Sequence, residues 1–162
     1  GAATTGTAPP QPKILEAGGP PGAGSDASRV SSYNPWLALH WLVSGRSAGG
    51  TPLLNERNRL SREEALRTYT LGSACLSSEE HLKGRIAPGQ FADMALLSAD
   101  YFSVPEEEIA AIEYVLTIVG GRVVYAAGPF ESLRPPLPAP LPAWSPVSRF
   151  GGAWRGQSKV PE

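Results

Sequence analysis

Few side chains in this 162-residue chain can do covalent or metal chemistry. There are two histidines, His40 and His81, and one cysteine, Cys75. The histidines do not form a His-x-His pair. A zinc site takes about three or four protein ligands, so these residues alone build no metal centre. Cys75 has no histidine placed to activate it and reads as a small hydrophobe within a helix. Asp26 closes Gly24-Ser25-Asp26, which by composition alone is a turn. Arg29 and Arg46 lie on either side of a predicted helix and could meet an acidic group, although solvated arginine is the simpler reading. His40 falls on an aromatic helix face, where a packed imidazole is simpler than a pocket-lining one. His81, between Glu80 and Lys83, reads as a surface residue. Glu106-Glu107-Glu108 reads as a solvated helix start that suits the helix dipole.

The elements that must position these residues follow from turn and cap signals. Lys13–Gly19 reads as the end of a helix stopped by glycine. Asn34-Pro35-Trp36 reads as a helix start, with Asn34 as N-cap and Pro35 at the first helical position. Trp36, Leu39, His40 and Val43 then share one face, and Gly45 is the stop. Ser61-Arg62-Glu63-Glu64 is a capping box. It predicts a helix to about Leu76, with Ala65, Thr68, Tyr69, Gly72 and Leu76 toward the core. Gly72, Ser73 and Ala74 would let a neighbour approach closely.

The stretch from Lys83 to Leu97 is a turn that launches a strand. Gly84 can end the preceding turn, and Pro88-Gly89 fits the centre of a type II turn. Asp93 stands where its carboxylate can accept turn amides. Met94–Leu97 is a short apolar run of the kind buried on both faces. Ile112–Val119 and Arg122–Ala126 read as a hairpin around Gly120-Gly121. So small a sheet needs a partner layer.

Composition bounds the rest. The chain suffices for one domain with a core, but a TIM barrel needs roughly 250 residues. With 14 basic and 15 acidic residues, nothing points to nucleic acid or an anionic membrane surface. No run approaches a membrane span and no leader opens the chain. One cysteine excludes an intrachain disulfide and fits a reducing, cytoplasmic setting. Glycine and proline, 18 and 17 residues, gather at the two ends. Pro135-Pro136-Leu137-Pro138 carries a P-x-x-P pattern of the kind that SH3-like grooves accept.

Gly84-x-Ile86-x-Pro88-Gly89-x-x-Ala92-Asp93, followed by apolar residues, resembles a hallmark near the C-terminus of the amidohydrolase superfamily of metal-dependent hydrolases. The similarity is to the branch called amidohydrolase family 3. The run from Tyr33-Asn34-Pro35-Trp36 to Gly45, and Trp144-Ser145-Pro146-Val147 with Gly151-Gly152, resemble the same branch. The resemblance runs from about Lys13 to Gly152. It implies a mixed α/β chain: a C-terminal fragment of a TIM-barrel amidohydrolase, with its last strand and outer helices, plus part of its small β-sandwich. The implied organisation is a lead at 1–12, the end of the barrel at 13–82, sandwich strands at 83–128 and a Pro-rich tail at 129–162.

By the same resemblance, Pro20–Ala27 aligns with the last barrel strand and Asp26 with the aspartate that ends it. The segment departs from the family pattern at Pro20, Pro21 and Ala23, and proline donates no ladder hydrogen bond. Asp26 would touch a divalent metal, zinc most often, and its bound water. It would take the water's proton and pass it to a leaving nitrogen. The implied parent hydrolyses C–N bonds in small non-peptide amides or cyclic amides. This chain alone, lacking the other ligands, is expected to bind no catalytic metal, to be inactive and to self-associate. The rival expectation is a non-catalytic structural or protein-interaction domain with a Pro-rich tail.

Overall fold

A computed structural model describes residues 11–19, 21–27 and 32–136. It is a mixed α/β arrangement built around one small antiparallel sheet. Helix α1 is Gln11–Glu16, and the amides of Gly18 and Gly19 bond back to Leu15 and Ile14. Helix α2 is Pro35–Ser44. Asn34 caps it by accepting the Trp36 amide at 3.0 Å, and Gly45 ends it in the left-handed region. These termini are where Asn-Pro and Gly place them.

Helix α3, Arg62–Arg67, starts from the predicted box. The Ser61 hydroxyl accepts the Glu64 amide and the Glu64 carboxylate accepts the Ser61 amide at 2.8 Å. The Ser61 hydroxyl also donates to the Glu64 carboxylate at 2.6 Å, and this bond, then that of the Ser61 amide, holds the Glu64 carboxyl below its usual range. The sequence predicts an uninterrupted α-helix to about Leu76, but the helix is broken after Arg67. Thr68–Gly72 forms a π turn before α4, Ser73–Leu76, resumes. The hydroxyls of Thr68 and Thr70 bond back to the carbonyls of Glu64 and Leu66, at 2.7 and 2.9 Å. Such back-bonds compete with the helical ladder and accompany its widening. The extra residue rotates the last turn, and Leu76, expected in the core, is 71% exposed.

Strands β1 (Met94–Leu97), β2 (Tyr114–Val119) and β3 (Arg122–Ala126) lie in the order β1-β2-β3, all antiparallel. Met94 faces Ile118, Leu96 faces Leu116, and Leu116 faces Ala126. Gly120 and Gly121 both take positive φ, as a two-residue hairpin turn requires. Asp93 pins this tip by accepting the Gly120 amide at 2.7 Å. The expectation that β1 is buried on both faces is corrected: Ala95 and Leu96 are exposed. β1 is an edge strand with nothing against its outer side among the described residues, so its apolar run lacks a second covering layer.

The core forms where α2 meets the segment leading into β2. Trp36, Leu39, Leu42 and Val43 pack with Leu60, Ala65, Tyr101, Ile109 and Ile112. Ile109 lies on the 3₁₀ turn Glu106–Ala111. Ring centroids of Trp36 stand 5.6 Å from Tyr101 and 5.8 Å from Tyr114. A further 3₁₀ turn, Gly128–Leu133, follows β3, and Arg134 Nε donates to the Ala126 carbonyl at 3.2 Å. The start of the Pro-rich region therefore packs as an ordered turn, whereas its composition predicts irregular extended chain from Pro129 onward. Trp144 and the rest of 137–162 lie outside the described residues.

Tyr101 is 2% exposed and its hydroxyl donates to the Arg62 carbonyl at 3.0 Å. Burial pushes its phenol from 10.0 up to about 12, with the nearby Arg62 charge opposing the rise. A phenol whose folded pKa is raised contributes stability fully present below pH 10 and lost toward pH 12. Denaturant midpoints should therefore be flat from neutral pH up to about pH 10 and fall between 10 and 12. Tyr101→Phe should reduce that alkaline fall, to which the half-buried phenols of Tyr69 and Tyr114 also contribute, while losing about 1 kcal/mol at neutral pH with its hydrogen bond. Urea unfolding monitored by circular dichroism across pH checks both parts.

Candidate functional site

Asp26 ends the stretch 21–26, which forms no strand ladder. The alignment with a barrel strand thus has no regular strand here, as Pro21 would dictate. Asp26 is exposed and takes φ of 51°, a left-handed conformation that aspartate tolerates better than most residues. Non-glycine residues held there are worth relating to function.

The π turn holds this stretch from behind. The Ala23 amide donates to the Thr68 carbonyl at 3.3 Å. The Ser73 hydroxyl sits 3.0 Å from the Ala23 carbonyl and 3.2 Å from the Thr68 carbonyl, so its single proton serves both. The Thr68 carbonyl, at the start of the π turn, thus takes a partner from outside the helix. Gly72, Ser73 and Ala74 read from sequence as a close-approach surface, and the structure supplies the neighbour: Pro21 to Ala23. The holding role of Thr68 and Ser73 is not readable in the same way. Its only signal is threonine and serine at back-bonding positions inside a helical pattern.

The other chemistry-bearing residues are dispersed. His40 is half-buried on α2, and His81 is exposed in the turn after α4. Cys75 is free and half-buried in α4. Arg46 braces its own loop, donating to the Gly50 carbonyl at 3.1 Å. Arg29 lies outside the described residues. Among the described residues, no group of three or more His, Cys, Asp or Glu could hold a metal ion, and Asp26 belongs to no such group. Among those residues, too, no helix is long and apolar enough to cross a membrane.

The turn that opens the sheet carries no ionisable cluster. The Gln90 amide accepts the Arg85 amide proton at 3.1 Å and donates to the Glu80 carbonyl at 2.9 Å. Gly89 takes positive φ, as the centre of the turn requires. Gly84 also takes positive φ, and a methyl there would meet the Leu71 Cα at 2.9 Å. The hallmark stretch is a hinge between helix and sheet. Beside it runs an open apolar groove of about 800 Å³, lined by Trp36, Tyr69, Met94, Leu97, Tyr114 and Ile118. Asp26 does not line it.

A small antiparallel sheet entered through this turn, behind a capped helix, is the frame in which these residues stand. The chain matches the amidohydrolase family over residues 2–125, and it belongs to that family. It is 34% identical over 104 residues to the Bacillus subtilis (strain 168) protein YtcJ, named as a putative amidohydrolase. That match covers 63% of this chain and 20% of YtcJ. It is 29% identical over 115 residues to an imidazolonepropionase of Kosmotoga olearia, covering 70% of this chain and 25% of that protein. The chain thus spans a fifth to a quarter of the length of these relatives. No solved structure matches it.

Since one carboxylate does not make a zinc site, titrating the 162-residue chain with Zn²⁺ should show no saturable site tighter than roughly 0.1 mM. Asp26→Asn should leave the calorimetric trace unchanged. A stoichiometric, tighter site abolished by Asp26→Asn would contradict this.

Proposed function

We propose that this chain is the C-terminal portion of a metal-dependent hydrolase acting on C–N bonds of small amides or cyclic amides. Residues 13–82 would close its barrel, 83–128 would be strands of its small β-sandwich, and 129–162 would be a tail. Asp26 is the carboxylate this portion contributes to the reaction. Family membership carries the reading, since the match extends through the Asp26 stretch, α2 and the sheet. The names of the two relatives, an amidohydrolase and an imidazolonepropionase, support a C–N bond as the substrate class.

The residues present do not fit a metal by themselves. The remaining ligands would come from the part of the parent that residues 1–162 do not include, with zinc the expected ion. What Asp26 supplies is a proton acceptor at the end of a fixed segment. Its carboxylate takes a proton as water attacks the scissile carbonyl carbon and returns it to the departing nitrogen.

The distribution of apolar surface supports the incomplete state. Ile86 is 83% exposed, and Phe91, Leu96, Val119 and Val124 on and around the sheet are exposed as well. With the open groove, they leave apolar surface that a missing partner would cover. The isolated chain should therefore elute from a sizing column well above its monomer position and bind a hydrophobic dye. A clean monomer without dye binding would favour the non-catalytic, self-contained domain instead.

The decisive test starts from the coding frame upstream of Gly1. It should encode a His-x-His after an early strand. In the full-length protein Asp26→Asn should lower kcat by about 10²- to 10⁴-fold. A frame opening at Gly1, or an Asp26→Asn enzyme of undiminished turnover, would overturn the proposal.

A further inference from the structure

The geometry points to the Thr68–Gly72 π turn, together with Ser73, as a positioning device that sets where Asp26 stands. This rests on the proposed catalytic role of Asp26. Three observations converge on it. The first is the ring of hydrogen bonds: the Ala23 amide donates to the Thr68 carbonyl, and the Ser73 hydroxyl bridges the carbonyls of Ala23 and Thr68. These bonds grip the backbone of 21–23 on one side only, three residues before Asp26.

The second is the closeness of approach. A methyl on Gly72 would lie 2.1 Å from the Pro21 carbonyl oxygen, a backbone atom with nowhere to go. A methyl on Gly22 would lie 2.2 Å from Leu76 Cδ1, but Leu76 is an exposed and flexible side chain. The helix and the Asp26 stretch thus meet backbone to backbone at Gly72, with no side chain between them to give slack. The third is that the carbonyl which receives the Ala23 amide belongs to the π turn itself, at its first residue, Thr68. A stretch that forms no sheet ladder, as Pro21 and its neighbours dictate, receives its register from a helix.

The purpose follows from what Asp26 has to do. A proton acceptor must be held to within a fraction of an ångström of the reacting atoms, and the supporting shell decides whether it is. Asp26 itself is exposed and takes a left-handed conformation three residues beyond Ala23. Its position is inherited from the Pro21–Ala23 anchor.

Amide hydrogen exchange and ¹³Cα shifts measured on the 162-residue chain test the lock directly. The Ala23 amide should be protected in the wild type. Ser73→Ala should speed its exchange about five- to tenfold and shift the Asp26 ¹³Cα, and Ser73→Thr should restore both. Gly22→Ala should leave the Asp26 shift nearly unchanged, whereas Gly72→Ala should displace it or prevent folding. An unprotected Ala23, or equal exchange in wild type and Ser73→Ala, would overturn the lock. In the full-length protein, Ser73→Ala should lower kcat about tenfold with KM retained. Unchanged kcat there, alongside an Asp26→Asn enzyme that is impaired, overturns the positioning role alone. If Asp26→Asn is itself fully active, the catalytic reading fails, and the lock is then a structural contact with no part in turnover.

Discussion

The arrangement depends on Arg62. Its guanidinium donates to the backbone carbonyls of Tyr101 and Val104, the latter at 2.6 Å, across about 40 residues of chain. Tyr101 returns the contact by donating its hydroxyl to the Arg62 carbonyl, and the guanidinium carbon lies 5.8 Å from the Tyr101 ring centre. Charge-assisted bonds of this kind contribute roughly 1.5–3 kcal/mol each where partly buried. They tie the first turn of α3 to the segment that feeds Ile109, Ile112 and then β2 into the core. Because α3 runs on into the π turn, the same tie fixes the platform on which Pro21–Ala23 rests. One cation therefore holds together the sheet side of the chain and the Asp26 side.

The local signals in the sequence are strong where backbone chemistry is local. Asn34, Pro35 and Gly45 bound α2, Ser61 and Glu64 start α3, and Gly120-Gly121 turns the hairpin. Each of these rests on a cap or a positive φ that a particular residue type satisfies within four positions. Arg62 is legible only as the second residue of a capping box. Its long-range partners are main-chain carbonyls, which carry no side-chain signature. The π turn is equally hidden, because it arises from the competition of Thr68 and Thr70 for helix carbonyls and from the demand of Ala23 for an acceptor. The exposure of β1 escapes the sequence for a different reason. Its apolar run fits a strand covered by two layers, and the described residues supply only one.

The candidate site is legible only through resemblance. Gly24-Ser25-Asp26 alone describes a turn, and no strand ladder forms there. What physical chemistry adds is the manner of support. A proline-bearing stretch cannot take its register from strand ladders as a regular barrel strand would. Here the stretch is held instead by a helix, through the Thr68 carbonyl and the Ser73 hydroxyl. The departures at Pro21 and Ala23 and the irregularity at Thr68–Gly72 meet at this one contact.

The exposed face follows from the same logic of incomplete pairing. Leu116 and Ala126 are buried, the Gly128–Leu133 turn lies against β2 and β3, and Tyr114 leans on Trp36. Between these supports Leu96, Val119 and Val124 stay exposed, and the groove beside Tyr69 stays open. A sheet with uncovered apolar residues at both margins has room for a partner layer, and the chain spans only a fifth to a quarter of its relatives' length. On the reading proposed for Asp26, covering that surface and completing a reaction centre are separate demands that one further body of protein would meet together. That is why the lone carboxylate and the open sheet belong in a single explanation.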